Sequence, residues 1–285
     1  MREELSAGIY EPGDYTYFII RDPKERRISV APFRDRVVHH ALVNILEPVY
    51  EKCFISDSYA TRKFKGTHRA IRRAQRFLRA NCWYLKMDVR KYFDSVDHRI
   101  LNAILQHKIK DPFIIALCEK IFAKGGDGST GLPIGNLTSQ FFANVYLDKL
   151  DHYVKEVLKV KYYLRYMDDF CLFDNDKGNL LQWRAVTESY LSEKLHLQIK
   201  HEAVMLNTRL HGLGFLGVRI YPSLIRIKRA SFKRSYQRLL QKERGYKLGK
   251  ISSQSYQASM ESLVAHMTYW NDNLLRSRLY GASHR

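Results

Sequence analysis

Two adjacent carboxylates, Asp168 and Asp169, interrupt an apolar, aromatic-rich stretch of the sequence. The runs on either side, residues 162–167 and 170–173, predict the strands of a tight β-hairpin with an acidic tip. Neighbouring carboxylates repel each other and lose hydration between buried flanks, so a bound cation would stabilise them. Because neighbours on a strand face opposite sides, we expect Asp168 to be the main metal ligand. For an isolated acidic pair, a solvent-exposed turn is the alternative.

A second acid, Asp88, follows the short strand-like run 83–87. Asp97, further along, is placed to cap the helix that comes next. With Asp168 and Asp169, Asp88 would form a carboxylate site for two Mg²⁺ ions about 3.5–4 Å apart. Such ions activate a 3′-hydroxyl and stabilise the departing pyrophosphate, so phosphoryl transfer is the predicted chemistry. Few protein carboxylates suffice, since substrate phosphates and water complete the shell of magnesium.

Three short motifs follow one another with a spacing known from one family. Asp88 precedes the aromatic Phe93 by five residues, residues 131–140 are Gly-Leu-Pro-Ile-Gly-Asn-Leu-Thr-Ser-Gln, and residues 166–169 are Tyr-Met-Asp-Asp. In order and separation they resemble motifs A, B and C of reverse transcriptases, and the resemblance covers residues 27–220 and, more loosely, the C-terminus. Three motifs in order are far more specific than Tyr-Met-Asp-Asp alone.

The resemblance implies an α+β right-hand polymerase fold, with fingers, a palm of antiparallel sheet packed on helices, and a helical thumb. The expected boundaries are residues 1–80 for the fingers, 81–222 for the palm with finger insertions near 100–135, and 223–285 for the thumb. The implied cofactor is Mg²⁺, two ions, with Mn²⁺ able to substitute. The implied partners are a template RNA, the RNA–cDNA duplex and deoxynucleoside triphosphates.

The motifs also carry the family's site residues to numbered positions of this chain. The expected catalytic residues are Asp88, Asp168 and Asp169, and the expected metal contacts are these three and Val89. The expected nucleotide-binding residues are Arg62, Lys65, Tyr92, Phe93, Ile134, Gly135, Gln140 and Met167. The expected primer grip is Phe215, Leu216 and Gly217, and the template–primer duplex is expected to contact Arg226, Lys228, Arg229, Lys233 and Arg234. Lys200 is a weak candidate for the general acid.

Three of these positions bear on how the nucleotide would be recognised. Phe93 matches the family's steric gate, an aromatic ring that leaves no room for a ribose 2′-hydroxyl, so the resemblance implies a DNA product. Arg62 and Lys65 lie in the basic stretch 58–73, which corresponds to the finger motif that grips the triphosphate. The arginines between 69 and 76 could contact the template backbone or be solvated.

One departure from the common family pattern concerns Ile134. Most reverse transcriptases carry Pro-Gln-Gly here, whereas residues 133–135 are Pro-Ile-Gly. This pattern resembles the enzymes of diversity-generating retroelements, which are related to those of group II introns and retrons. A branched aliphatic side chain removes an amide hydrogen-bond partner, which narrows the free-energy gap between right and wrong nucleotides. The resemblance implies copying that is error-prone at template adenines, mutagenic retrohoming, and a small basic pentameric accessory protein.

The composition supports a polyanionic partner. Lys and Arg number 48 against 29 Asp and Glu in 285 residues, a net charge of +19, and each basic group that displaces a counterion adds affinity for nucleic acid. The four cysteines are widely spaced, which indicates neither a zinc site nor a disulfide framework. No signal sequence or membrane-spanning run is evident, so we expect a cytoplasmic protein without a membrane partner. The resemblance implies a prokaryotic or phage origin. We expect no RNase H domain beyond the thumb.

Periodicity predicts the remaining elements. Residues 15–21 and 27–33 predict a hairpin, residues 35–50 and 137–157 predict helices, and residues 195–199 predict a short strand. The C-terminal helices, residues 254–280, are predicted to place on the core the side chains of Leu263, Met267, Trp270 and Leu274.

Two other functions compete with a diversity-generating polymerase. One is a phage-defence or retron-like reverse transcriptase that copies a dedicated non-coding RNA, which keeps the chemistry and changes the biology. The other is a catalytically idle RNA-binding protein. The second is disfavoured because Asp88, Phe93, Asp168 and Asp169 are all present.

Overall fold

The structure, a computed structural model, describes residues 1–21, 24–126 and 128–270. The chain divides into two compact units. The first comprises Met1–Ala70 and Trp83–Leu206, and the second comprises Ile71–Cys82 and the chain from Asn207 onward. The expected finger, palm and thumb boundaries stay predictions.

The first unit begins with a hairpin between helices. Its elements are α1 (Arg2–Ser6), β1 (Thr16–Ile20), β2 (Arg26–Val30), α2 (Phe33–Glu51) and α3 (Thr67–Ala80), the last of which continues into the second unit. β1 and β2 pair antiparallel, with Thr16 opposite Val30. The hairpin and the helix predicted in this region are therefore confirmed.

A four-stranded sheet and its helices complete the first unit. The elements are β3 (Trp83–Asp88), α4 (Tyr92–Ser95), α5 (His98–Lys108), α6 (Pro112–Ala123), α7 (Leu137–His152), β4 (Tyr162–Tyr166), β5 (Asp169–Asp174), α8 (Lys177–Leu195) and β6 (Met205–Thr208). The sheet order is β4-β5-β3-β6, and β5 runs antiparallel to both β4 and β3. The acidic hairpin predicted at residues 162–173 is confirmed.

Strand alternation decides which side chains this sheet buries. Met87 lies opposite Phe170 and Leu85 opposite Leu172, and all four belong to the main apolar core together with α7. Cross-strand partners share a face and successive residues alternate. Lys86, Asp88 and Asp169 therefore lie on the other face of the sheet, away from this core.

Helix ends follow local capping chemistry. The Asp97 side chain accepts the backbone N–H groups of Arg99 and Ile100 at the start of α5, which confirms the predicted cap. The helix predicted to reach residue 157 is confirmed as α7 followed by a π-helical turn, Tyr153–Val157. The strand predicted at residues 195–199 is wrong, because only Ile199 forms a bridge, to Val89.

The second unit contains a small sheet and two long helices. Besides the last turns of α3, it holds β7 (Leu213–Phe215), β8 (Val218–Ile220), β9 (Ile225–Ile227), α9 (Arg229–Lys247) and α10 (Ser253–Tyr269). β8 is the central strand and pairs antiparallel with both neighbours. Leu263, Met267 and Trp270 are buried as predicted, and Leu274 lies outside the described residues.

Among the residues that the structure describes, no helix combines the length and the apolar character needed to cross a membrane.

Candidate active site

The strand register brings the three predicted acids together. Asp88 at the end of β3 lies directly opposite Asp169 at the start of β5. Tyr166 also pairs with Asp169, so Met167 and Asp168 form the two-residue turn of the hairpin. The main-chain carbonyl of Asp168 accepts the N–H of Val89 at 3.3 Å. Asp88 and Asp168, which are 80 positions apart in the sequence, thus lie together at the turn of the hairpin.

Burial and the repulsion of neighbouring carboxylates raise the pKa values of Asp168 and Asp169. Burial and then the neighbouring Asp88 raise the pKa of Asp168 to about 6. Burial raises the pKa of Asp169 to about 7, although the positive charge of Lys86 opposes the shift. Lys86 Nζ lies 2.9 Å from Asp169 Oδ2, while Asp169 Oδ1 is buried without a hydrogen-bond partner. These are carboxylates that a cation would stabilise.

The donors suit magnesium, but they do not converge as closely as expected. Within residues 1–21, 24–126 and 128–270, no three carboxylate, histidine or cysteine side chains lie close enough to hold a metal ion. One Asp169 oxygen, Oδ2, forms an ion pair with Lys86. The other oxygen, Oδ1, is buried and free for a cation, and an all-oxygen donor set is what Mg²⁺ prefers. The residues therefore fit the ion in donor chemistry, although the three carboxylates lie too far apart here to hold it together.

The β1–β2 hairpin is hydrogen-bonded to the motif B loop, which precedes α7. The N–H of Ser29 in β2 donates to the carbonyl of Ile134 at 2.7 Å. Gly135 has φ +121°, and a Cβ there would lie 2.8 Å from both Ile28 Cγ2 and the Ser29 carbonyl oxygen. Glycine is needed at this position both for its backbone angle and for the close approach. The Ile134 side chain itself is half-exposed.

Motifs A and B are joined through Phe93. Its carbonyl accepts the N–H of Leu132 at 2.7 Å, and its ring is half-buried, edge-on to Tyr92. Part of the ring is therefore exposed, as a gate would require, and its role as a steric gate stays a prediction. Gln140, in the first turn of α7, and Met167, in the hairpin turn, are also half-buried.

Two of the expected nucleotide contacts are corrected by the structure. The Arg62 side chain is 4% exposed and forms a two-pronged ion pair with Glu51. Its remaining bonds go to the carbonyls of Ile55 and Ser58, so the guanidinium stabilises the fold and does not face a triphosphate. The Tyr92 ring is buried and its hydroxyl donates to the carbonyl of Ala143.

Lys65 and Lys200 remain candidates by position. Lys65 is half-buried and donates to the carbonyl of Ser56 at 2.6 Å, and burial lowers the pKa of its amine. The backbone N–H of Lys200 donates to the Asp88 carbonyl at 2.9 Å, which places Lys200 beside the motif A strand. Their proposed roles toward the triphosphate and the pyrophosphate stay predictions.

Sequence reasoning missed two cations near the acids. Lys86 forms the ion pair with Asp169 described above. Arg26, at the start of β2, is exposed, and its charge partly offsets the burial that raises the pKa of Asp168. The signal for Lys86 was its place two residues before Asp88 on a strand, and the signal for Arg26 was a basic run at a hairpin end.

The residues expected to form the primer grip and the duplex contacts lie in the second unit, and their roles stay predictions. Leu216 and Gly217, with φ +46° and +84°, form the turn between β7 and β8. The carbonyl of Gly217 accepts the N–H of Lys228 at 3.1 Å, which ties the turn to the start of α9. Phe215 is buried. Arg226, Arg229 and Lys233 are exposed, whereas Lys228 and Arg234 are half-buried.

An acidic β-hairpin beside an acid-tipped strand, on a sheet backed by helices, defines a right-hand polymerase fold. The fold is similar to that of apo telomerase from Candida tropicalis, with a TM-score of 0.61 and 13% identity over 79% of this chain and 50% of that one. Telomerase from Candida albicans, in complex with the TWJ fragment of telomeric RNA, gives a TM-score of 0.56 at 10% identity and covers 82% of this chain and 51% of that one. The expected fold class is confirmed.

The sequence matches also show the family. Residues 21–220 match the family described as Reverse transcriptase (RNA-dependent DNA polymerase), and the chain belongs to it. Protein YkfC of Escherichia coli is 30% identical over 171 residues, which cover 55% of this chain and 45% of that protein. The group II intron-encoded protein LtrA of Lactococcus lactis is also 30% identical, over 56% of this chain and 28% of its own length. The chain thus spans less than half the length of either relative.

Proposed function

We propose that this protein is an RNA-directed DNA polymerase that makes cDNA from a template RNA by phosphoryl transfer. The observation that carries the proposal is the register that sets Asp88 opposite Asp169 with Asp168 in the adjoining turn. Membership of the reverse transcriptase family over residues 21–220 supports the same chemistry. Asp88, Asp168 and Asp169 are the proposed catalytic carboxylates.

Different residues around that cluster are proposed to bind the metal ions, the triphosphate and the sugar of the nucleotide. Two Mg²⁺ ions, held by Asp88, Asp168, Asp169 and the main chain of Val89, would supply Lewis-acid activation of the hydroxyl and charge neutralisation of the phosphates. Arg26 and Lys65 are the proposed triphosphate contacts. The half-buried ring of Phe93 excludes a ribose 2′-hydroxyl. The hairpin β1–β2, fixed to Ile134 by Ser29, closes the nucleotide pocket.

A net charge of +19 supports nucleic acid as the macromolecular partner. The proposed template is RNA, as the family membership and the telomeric RNA bound by the Candida albicans neighbour suggest. The exposed Arg226, Arg229 and Lys233 are proposed to hold the template–primer duplex by its phosphates, without sequence preference. The turn formed by Leu216 and Gly217 is proposed to support the primer end.

The finer proposal is an error-prone enzyme of the diversity-generating type. The supporting observation is Ile134, whose half-exposed aliphatic side chain stands where most of the family has glutamine. A pocket without that amide discriminates less between right and wrong nucleotides. The small basic accessory protein is part of this finer proposal only.

The experiment is to purify the wild type and Asp168→Ala from the native host and to sequence the RNA and DNA that copurify. The polymerase proposal requires cDNA with the wild type only. cDNA mutated mainly opposite template adenines would support the diversity-generating subtype, whereas faithful cDNA from one non-coding RNA would favour a defence or retron-like role. RNA without cDNA in both samples would contradict polymerase activity and indicate an RNA-binding protein.

A further inference from the structure

Behind the acidic hairpin lies a charged side chain that the proposed chemistry does not use. Arg165, in β4, is 0% exposed, and so is its partner Asp151 in α7. Arg165 Nε donates to Asp151 Oδ1 at 2.8 Å and Nη2 donates to Oδ2 at 2.6 Å. A buried ion pair gains little over well-packed apolar side chains of the same volume. Fold stability alone therefore gives no reason for an arginine here.

The remaining donor of the guanidinium reaches the hairpin turn. Arg165 Nη1 donates to the main-chain carbonyl of Met167 at 3.0 Å and to Asn144 Oδ1 at 3.2 Å. Met167 has φ +57°, a backbone angle that residues other than glycine rarely adopt. The next residue is Asp168, whose own carbonyl accepts the N–H of Val89. The two peptide groups that flank Asp168 are thus each held through their carbonyl oxygen, one by Arg165 and the other by Val89.

The residues that contact Arg165 are themselves held in place by hydrogen bonds. Asn144 Nδ2 donates to the carbonyl of Ala60 at 2.7 Å, and the Tyr163 hydroxyl donates to Asp151 Oδ1 at 2.7 Å. The backbone of Arg165 is bonded on both sides, to the Asp57 carbonyl and to the N–H of Tyr59. The guanidinium is a rigid fork, so these contacts fix the direction of the bond to Met167.

We propose that Arg165 is a positioning residue for the metal site, acting through the Met167 carbonyl to hold Asp168 toward Asp88. The inference rests on the proposed function, since it assigns Asp168 a metal. The proposal predicts that the affinity of the carboxylates for a divalent cation depends on the planar geometry of the Arg165 guanidinium and not only on its charge. Lysine keeps the charge but cannot reproduce the two-pronged bond to Asp151 together with the bond to the Met167 carbonyl.

The test uses the full chain and Mn²⁺ as the probe, with free Mn²⁺ measured by electron paramagnetic resonance in the absence of nucleotide. Binding at the proposed site is the part of the Mn²⁺ binding that is lost in Asp168→Ala. Partners that orient metal ligands contribute about 10–100-fold in metal affinity, so Arg165→Lys should weaken this binding by about tenfold or more. Polymerase assays on the same samples should show a lower kcat, partly restored by added Mg²⁺, with little change in the KM for nucleotide.

A matched control separates positioning from loss of stability. Val154 is 0% exposed and has no part in the Arg165 contacts, so Val154→Ala should lower the melting temperature and leave Mn²⁺ affinity unchanged. Asn144→Ala, which removes one contact of the fork, should also weaken Mn²⁺ binding and serves if Arg165→Lys fails to fold. Wild-type Mn²⁺ affinity in both the Arg165 and Asn144 variants would overturn the proposal.

The two proposals fail in distinguishable ways. A wild type that binds Mn²⁺ through Asp168 but extends no primer would contradict the polymerase proposal, while weaker binding in Arg165→Lys would still support the positioning role. A wild type that binds no more Mn²⁺ than Asp168→Ala would overturn the positioning role directly.

Discussion

Replacing Gly135 with alanine should displace the β1–β2 hairpin from the motif B loop. Gly135 has φ +121°, and an added Cβ would lie 2.8 Å from the Ser29 carbonyl oxygen and from Ile28 Cγ2. One of these atoms belongs to the backbone, so the hairpin as a whole must move. The hydrogen bond from Ser29 to the Ile134 carbonyl, 2.7 Å long, would then be broken.

The size of the effect follows from two separate costs. A residue with a Cβ at such a backbone angle loses about 1–3 kcal/mol. A lost intramolecular hydrogen bond adds about 1 kcal/mol. The backbone strain costs the same in the free and in the nucleotide-bound protein, so it does not change the KM. The hairpin, in contrast, must return to the motif B loop each time a nucleotide binds. Returning the hairpin against the added Cβ is an overpacking cost of about 1–2 kcal/mol. That cost corresponds to a rise in nucleotide KM of roughly five- to thirtyfold.

The assay is steady-state extension of oligo(dT) on poly(rA), with the KM for dTTP and the melting temperature measured on the same samples. Gly128→Ala is the matched control, because Gly128 has φ +86° and a Cβ there would meet nothing within 4 Å. It should lower the melting temperature through strain alone and leave the KM unchanged. If Gly135→Ala shows the KM of the wild type despite a lower melting temperature, the hairpin does not close the nucleotide pocket.

Three further predictions concern the gate, fidelity and stability. Phe93→Ala should raise the use of ribonucleotides relative to deoxyribonucleotides by about tenfold or more, measured by single-nucleotide extension, and an unchanged ratio would remove Phe93 as the gate. Ile134→Gln should lower misincorporation opposite template adenines in sequenced products, and an unaltered error spectrum would contradict the role given to Ile134. Burial and then Asp151 raise the pKa of Asp148 to about 6, and its Oδ1 is buried without a partner. The charged form of Asp148 therefore destabilises the fold as the pH rises from about 4 through 6. Asp148→Asn should raise the free energy of unfolding by about 1–3 kcal/mol at pH 8 and by much less at pH 4.5, measured by urea unfolding. Equal effects at both pH values would refute this.

Local patterns in the sequence predicted much of the fold. The hairpin strands around Asp168 follow from apolar runs on both sides of a turn, and the start of α5 follows from the capping side chain of Asp97. These features depend on residues close in the chain, so the sequence shows them directly. The strand predicted at residues 195–199 failed because its apolar residues also suit an irregular segment that forms one bridge, from Ile199 to Val89.

Side-chain partners that depend on the folded path of the backbone could not be predicted. Arg62 was predicted to contact the triphosphate because residues 58–73 correspond to the finger motif of the family, and only the fold shows Glu51 and two carbonyls around its side chain. The ion pair between Arg165 and Asp151 is hidden for the same reason. Lys86 is a related case, since its contact with Asp169 depends on the pairing of β3 with β5.

The most direct test of the account is single-turnover extension of a DNA primer on an RNA template with Mg²⁺, comparing the wild type with Asp88→Asn and Asp168→Asn. Asp94→Asn, which changes an exposed acid of the same segment outside the proposed cluster, is the control. The account predicts a rate near that of the wild type for the control, and a loss of about a thousandfold or more for each of the other two variants, neither of which should lower the melting temperature. Extension by Asp88→Asn and Asp168→Asn at the wild-type rate would contradict the assignment of the carboxylate cluster as the catalytic centre.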